Sequence, residues 1–382
     1  MTERDTKGGP IVHVIGELVA AGAEIFVYQL TQKFKSSGRD VEVWTFYKAT
    51  DIHPGDEKAA EVEREMLKGL EKAGITVRQI GKTPRADYRL TWRTLKNWAE
   101  AAQPYIVHTH LEEISFHVCV ALRSFNFPIV QTMHNENIRR PALLRHFFSR
   151  YCDRFICISD QVEAVTLKYI DKEKCVLIPN GIPTDSYVNP TRDYHVAVEE
   201  MIAVGRLAEQ KNHMMLIQAM YELKNKLQAE GKSCPCVRIY GSGPLQQILA
   251  TEIERLNLTT EVILAGITTD IKSCLKESQI YIMSSIAEGM SISLLEAMSA
   301  GLPIVITAVS GVADLLVDRV SALIVPINDS HLMAEALYEL LSDGNLRCSL
   351  GQAASEQAQR FDISVCADRH LALYDELISI KK

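Results

Sequence analysis

Short apolar runs alternate along this chain with longer polar or amphipathic stretches. Ile11-Val12-His13-Val14-Ile15 predicts a first strand, followed by a Gly-containing loop from Gly16 to Gly22 and a helix over about 23–36. The second strand is Val41 to Phe46; residues 51–73 are highly charged and predict an exposed helix with flanking loops, and Ile75 to Ile80 predicts the next strand. Further strands are predicted at 105–108, 128–132, 154–158 and 174–178. Strand-length apolar runs spaced by helix-length segments indicate βαβ units and a parallel sheet.

The pattern breaks at Pro179-Asn180-Gly181-Ile182-Pro183. Residues 184–198 are mostly polar, contain Pro190 and show little periodicity, so an interdomain linker is expected there. A second alternating series follows, with strands predicted at 201–204, 237–240, 262–264, 280–283, 303–306 and 322–325. The expected fold class is therefore α/β, with two tandem Rossmann-like doubly wound domains. Their expected bounds are 1–187 and 188–363, with a closing helix over 364–382.

Composition narrows the functional classes. Of 382 residues, 47% are apolar and 23% charged, as in ordinary proteins able to bury sizeable cores. The net charge of −7 argues against a nucleic-acid partner. Residues 1–190 carry 25 Lys and Arg against 24 Asp and Glu, whereas the remainder carries 16 against 24, so the acidity belongs to the second half. Nine scattered cysteines read as reduced thiols, and Cys234-Pro235-Cys236 is too tight for a zinc knuckle. The polar start, Met1 to Lys7, lacks the apolar core of a signal peptide, and no run approaches the roughly 18 apolar residues that span a bilayer. A cytoplasmic protein is expected, with peripheral contact at the inner membrane face left open.

The candidate chemistry concentrates in Ser285 to Met298. Two carboxylates, Glu288 and Glu296, stand eight positions apart, one ahead of a helix and one inside it. Between them Gly289-Met290-Ser291 forms a turn able to present backbone N–H groups. Carboxylates accept hydrogen bonds from paired hydroxyls, and a helix start attracts an anion; a sugar nucleotide offers both. Ser291 is the expected N-cap. Glu296 lies among Leu294, Leu295, Ala297 and Met298, so if buried it needs partners. Arg206 and Lys211 follow the strand 201–204, where two fixed cations suit a pyrophosphate. Taken singly, each of these groups also fits a solvated loop or helix face; the four falling at strand ends of one domain point to a site.

These residues resemble the GT-B glycosyltransferases, and more closely their large retaining family with a Glu-X7-Glu signature. The resemblance rests on Gly205-Arg206-Leu207 with Lys211-Asn212, Tyr240-Gly241-Ser242-Gly243-Pro244-Leu245, Ser285 to Ala297, Gly301 to Val305, Ser310 to Asp314, and Ile178 to Ile182. It implies two domains facing across a cleft, a nucleotide-diphosphate sugar as donor substrate and no cofactor. It also implies a saccharide or lipid-linked hydroxyl acceptor, in polysaccharide or glycolipid synthesis. Arg206 and Lys211 would bind the diphosphate, Glu296 the ribose and Glu288 the donor sugar. Gly289, Met290 and Ser291 would hold sugar and phosphate, Gly266 and Ile267 would flank the base, and Gly22 would meet the phosphate. His134 would approach the donor sugar and His110 would line the acceptor side. Glu288, His134, Arg206 and Lys211 form the expected catalytic set.

Three departures from the family bear on donor choice: Ala21-Gly22 replaces Gly-Gly, Met290 replaces an aromatic residue, and Ser310-Gly311-Val312-Ala313-Asp314 replaces Gly-Gly-X-X-Glu. No metal is expected, because neither His-bearing strand end shows a third ligand at metal spacing and the chain contains no Asp-X-Asp. Arg139 to Tyr151, together with Arg85, Arg89, Arg93 and Lys96 near Trp92 and Trp98, forms basic and aromatic stretches compatible with either an anionic membrane or a solvated helix face. Another GT-B activity, such as a sugar-nucleotide epimerase or a phosphorylase, and a non-catalytic sugar-nucleotide-binding protein remain as alternatives.

Overall fold

A computed structural model describes residues 8–81, 88–312 and 314–381. The chain divides into two compact units, Met1–Gly181 with Ile363–Lys382, and Ile182–Asp362. All thirteen expected strands form. The first unit contains β1 (Ile11–Ile15), β2 (Val41–Thr45), β3 (Thr76–Gln79), β4 (Ile106–Thr109), β5 (Ile129–Met133), β6 (Arg154–Cys157) and β7 (Cys175–Leu177). They make one parallel sheet in the order β3-β2-β1-β4-β5-β6-β7. Its central strands are buried along their whole length, which is why they read as unbroken apolar runs rather than alternating ones.

The second unit contains β8 (Glu200–Val204), β9 (Cys236–Tyr240), β10 (Val262–Gly266), β11 (Ile280–Met283), β12 (Ile304–Thr307) and β13 (Leu323–Val325). These also pair in parallel, in the order β10-β9-β8-β11-β12-β13. Its core packs the helices His213–Ala229 and Ser330–Ser342 on the sheet through Leu216, Met220, Leu223, Met333, Leu337 and Leu340.

The expected linker is a difference from the sequence reading. The chain crosses between units at 181/182, and residues 184–198 belong to the second unit. Their polarity serves helix ends rather than solvent. Arg192 donates to the carbonyls of Ser278 (2.6 Å), Leu275 (2.9 Å) and Ala300 (3.0 Å), and the Tyr187 hydroxyl donates to Glu296. The closing helix, Ile363–Lys381, belongs to the first unit. Asp375 pairs with Arg39 at 2.7 Å, Glu376 with Arg154 at 3.0 Å, and Lys381 with Asp153 at 3.0 Å. All nine cysteines are free thiols.

Candidate functional site

The second sheet grows outward from β8 in one direction through β9 and β10, and in the other through β11, β12 and β13. The connections after β8 and β11 therefore part at this switch point. In open α/β sheets that is where ligands enter, at the carboxyl ends of the strands. Both connections carry residues singled out from the sequence, and the structure brings them into contact.

After β8 the chain runs through Gly205 and Arg206 into a tight turn, Glu209–Lys211. Asn212 then adopts a left-handed conformation (φ 47°), and the helix His213–Ala229 begins. The β9 loop lies directly on this segment: Leu207 N–H donates to Ser242 O at 2.9 Å, and a Cβ on Gly241 (φ +144°) would stand 2.1 Å from Gly205 O. Only glycine allows that approach. After β11, Ile286 N–H donates to Gln210 O (2.9 Å), Gln210 Nε2 to Ala287 O (2.7 Å), and Ser284 Oγ to Lys211 O (2.9 Å).

These ties set a short polar chain. Lys211 Nζ lies 2.6 Å from Glu288 Oε1, and Ser285 Oγ donates to the same oxygen at 2.6 Å. Glu288 is buried. Lys211, expected on a diphosphate, is thus also the counter-ion of the carboxylate expected on the sugar. Arg206, in the same loop, is exposed, and its guanidinium makes no hydrogen bond or ion pair among the described residues. One fixed ion pair and one unengaged guanidinium therefore stand at the switch point.

Gly289, Met290 and Ser291 are all buried. Ser291 caps the helix Ile292–Ser299 as expected, its Oγ accepting from Leu294 N at 3.4 Å. The turn is backed by Gly311, where a Cβ would stand 2.6 Å from Gly289 O and 2.7 Å from Glu288 O. Glu296 is buried, and its Oε1 accepts the Tyr187 O–H at 2.6 Å. Burial pushes its carboxyl up to about 7, against the opposing effects of Tyr187 and the Lys272 charge. Gly266 and Ile267, both half-buried, lie at the end of edge strand β10; Gly266 O accepts from Gly241 N at 2.9 Å, which ties them to the β9 loop.

In the first unit Gly22 opens the helix Gly22–Ser36 and is exposed. His110 and His134 follow β4 and β5, and they hydrogen-bond each other (His110 Nδ1 to His134 Nε2, 3.2 Å). His13 in β1 joins them, its Nδ1 lying 2.9 Å from His110 Nε2. Burial holds His13 down at about 3 and His134 at about 4, so both rings are neutral.

The expectation that these histidines lack a third partner is corrected here. His13 stands in register with His108, and the ring nitrogens of His13, His108 and His110 lie within 4.8 Å of one another. Sequence spacing could not reveal this, because β1 and β4 are neighbours only in the sheet. The trio does not suit a cation as arranged. Imidazole lone pairs lie in the ring plane, whereas His110 stacks on His13 (interplanar 20°) and on His108 (29°). Both His108 nitrogens are also engaged, with Tyr374 Oη at 2.6 Å and Thr132 Oγ1 at 2.7 Å.

Sequence reading passed over Ser285, Tyr187 and His13. The buried Glu296 called for a partner, and the supposed linker held two aromatic candidates, Tyr187 and Tyr194. Of the basic stretches, Arg89, Arg93 and Lys96 are exposed on the helix Tyr88–Ala102, and Arg139, Arg140, Arg145 and Arg150 are exposed on and before the helical run 141–151. Arg85 lies outside the described residues.

A tandem of parallel-sheet α/β units, with paired charges at the second sheet's switch point, defines the GT-B class of enzymes. Residues 20–186 match the family model of Glycosyltransferase Family 4, and residues 197–357 that of Glycosyl transferases group 1. The chain belongs to this glycosyltransferase family. It is 26% identical to an Escherichia coli UDP-Gal:alpha-D-GlcNAc-diphosphoundecaprenol alpha-1,3-galactosyltransferase, over 72% of this chain and 76% of that protein. It is 25% identical to a phosphatidyl-myo-inositol mannosyltransferase of Mycolicibacterium smegmatis, over 75% and 74%. Among solved structures, Anabaena HepE in complex with UDP-glucose superposes with a TM-score of 0.80 at 17% identity, covering 97% of this chain and 99% of that one. The sucrose-phosphate synthase of Thermosynechococcus elongatus gives 0.77 at 20%, covering 97% and 100%. At these identities the structures speak for the fold.

Proposed function

We propose that the protein is a retaining glycosyltransferase that moves a sugar from a nucleoside diphosphate, UDP in the first instance, to a hydroxyl of a lipid-linked or saccharide acceptor. The observation that carries this reading is the contact of Lys211, Ser285 and Glu288 at the switch point, with Arg206 unengaged beside them. Arg206 and Lys211 take the diphosphate, Glu288 and the Gly289–Ser291 turn the sugar, Glu296 the ribose, and Gly266 and Ile267 the side of the base. UDP is favoured because HepE has been solved with UDP-glucose and the Escherichia coli relative is a UDP-Gal enzyme.

The reaction breaks the bond between the sugar's anomeric carbon and the diphosphate oxygen. The acceptor oxygen forms its bond from the same face and gives its proton to the departing phosphate oxygen. Two cations and the N–H groups of the helix start stabilise the charge that develops on that oxygen, which is the term electrostatic preorganisation supplies. No protein nucleophile and no divalent metal enter this scheme. His134, held neutral, approaches the donor sugar; Gly22 meets the phosphate, and His110 serves the acceptor side. Lipid-linked acceptors are favoured by the diphosphoundecaprenol and phosphatidylinositol substrates named for the relatives. A peripheral position at the cytoplasmic membrane face follows from such an acceptor, and the exposed Arg89, Arg93, Lys96, Arg145 and Arg150 suit an anionic surface.

The test is a panel of UDP-, GDP- and ADP-sugars, first by thermal shift and then by product analysis with EDTA present. Transfer or donor hydrolysis with retention at the anomeric carbon supports the reading. Epimerised donor, inverted product or binding without turnover of any donor overturns it.

A further inference from the structure

Glu296 sits inside the helix Ile292–Ser299, buried among apolar neighbours. A carboxylate in such a place needs more than one hydrogen bond to stay charged. Here Oε1 takes a single one, from Tyr187 at 2.6 Å, and Oε2 has no protein partner among the described residues. The tyrosine is not a passing neighbour. It follows the turn Thr184–Ser186, whose Thr184 Oγ1 donates to Asp362 at 2.8 Å and whose Thr184 carbonyl accepts from Ser299 Oγ at 2.9 Å. Ser299 ends the same helix that carries Glu296, so both partners are fixed to one frame. Lys272 stands over the Tyr187 ring, its Nζ 5.3 Å from the centroid.

We propose that Tyr187 is a positioning residue for the nucleotide: its O–H fixes Oε1 of Glu296 and leaves Oε2 to receive the ribose hydroxyls. This rests on the reading of Glu296 as the ribose ligand. A diol donates two hydrogens, so the receiving carboxylate works as an acceptor only when ionised. Glu296 is balanced near neutrality, raised by burial and lowered by Tyr187 and then by Lys272. The other groups facing this helix do not replace them. The Tyr281 hydroxyl of β11 is engaged with Ser293 at 2.9 Å. Arg347, the buried cation of the helix Gly344–Ala358, gives its hydrogens to the carbonyls of Tyr194, Val196, Leu340 and Leu341. β12 brings only Ile304 to Thr307.

Removing the hydroxyl alone, as Tyr187→Phe, keeps the ring and takes away the hydrogen bond. The experiment is calorimetric titration of the wild-type and Tyr187→Phe proteins with UDP and with 2′,3′-dideoxy-UDP from pH 5.5 to 9. The dideoxy compound carries the same diphosphate, so its profile subtracts the titration of the phosphate and of Arg206 and Lys211. For the wild type, the UDP advantage over dideoxy-UDP falls away as pH drops through about 7. In Tyr187→Phe the midpoint moves up by about one unit, a roughly fivefold loss of that advantage at pH 7, and the advantage returns at pH 9. Dideoxy-UDP binding is the same in both proteins. Glu296→Gln, which cannot ionise, shows no such pH step. A Tyr187→Phe profile that overlays the wild type, with ribose discrimination intact in the wild type, overturns the assignment of Tyr187 alone. Equal wild-type affinity for UDP and dideoxy-UDP at every pH overturns the ribose reading itself.

Discussion

Lys211 and Glu288 stand 77 residues apart in sequence and meet at 2.6 Å, joining the loop after β8 to the loop after β11. Their side chains are 19% and 9% exposed. The pair is thus neither a surface ion pair, worth about 0–1 kcal/mol, nor fully buried, where losing one partner costs about 3–5 kcal/mol. Lys211→Met strands a carboxylate that keeps only the Ser285 hydroxyl. We expect it to destabilise the second unit by roughly 2 kcal/mol, read as faster amide exchange in the peptides of β8 and β11. The double variant Lys211→Met/Glu288→Gln should recover most of that loss, because it removes the unpaired charge. Both single variants should lower turnover by about 100-fold if the pair serves the transition state. Additive losses of stability in the double variant would refute the coupling.

Arg206 is the contrasting case. Its side chain, exposed and unengaged among the described residues, contributes nothing that folding requires. Arg206→Ala should leave the melting temperature unchanged, within the roughly ±0.5 kcal/mol typical of surface substitutions. UDP affinity should nevertheless fall by about ten- to 100-fold, the worth of hydrogen bonds to a charged group. Arg206→Lys should restore only part of it, since an ammonium lacks the planar fork that matches phosphate oxygens. Titration calorimetry with UDP decides this. Unchanged affinity in Arg206→Ala would remove Arg206 from the diphosphate site.

The two cases show where sequence reading succeeds and where it stops. Every strand was legible, because fully buried parallel strands are short apolar runs bounded by turns. The residues of the second site were legible as types: Glu288, Glu296, Arg206 and Lys211 each follow a strand. Their wiring was not. That Lys211 spends its charge on Glu288, or that Ser285 shares the same oxygen, depends on β8 and β11 being sheet neighbours. The same limit hid His13, which lies 97 residues from its partner His110. The linker misled for a different reason: Arg192 and Tyr187 look like solvated residues in a one-dimensional pattern. In the fold they cap carbonyls and a carboxylate of the unit that follows.

Gly311 offers a test of the turn that carries Glu288 and Gly289. A Cβ there would lie 2.6–2.7 Å from two carbonyl oxygens of that turn, so alanine must push it. The displacement should cost about 1–3 kcal/mol of stability, as overpacking does. Steady-state kinetics on Gly311→Ala should show kcat reduced more than tenfold. Affinity for UDP, which lacks the sugar, should change less than threefold. Unaltered kcat would mean that the turn does not hold the reacting sugar.

Acid should unfold the first unit selectively. Burial lowers His13 to about 3 and His134 and His370 to about 4, and it holds His108 and His110 well below the usual histidine range. Between about pH 4 and 6.5 these five rings bind protons in the unfolded chain but not in the native one. Stability therefore falls with pH, by about 1.4 kcal/mol per unit for each ring. Glu24, raised to about 7 by burial, and Glu112, also raised by burial, act in the opposite direction. The native form of Glu24 takes up a proton below about 7, while the unfolded form does so only near 4.5, so acid favours the fold through these two groups. Five against two leaves a net loss. In the second unit, His213, lowered to about 4, and Glu296, raised to about 7, oppose each other one for one. The three tryptophans, Trp44, Trp92 and Trp98, all lie in the first unit. Urea titrations followed by tryptophan fluorescence at pH 7.5, 6.0 and 5.0 should show the midpoint dropping at each step. Amide exchange in second-unit peptides should change far less over the same range. His370→Asn should flatten the fluorescence trend, because it removes one of the five rings. Parallel losses in both units, or a midpoint indifferent to pH, would contradict a neutral histidine cluster in the native state.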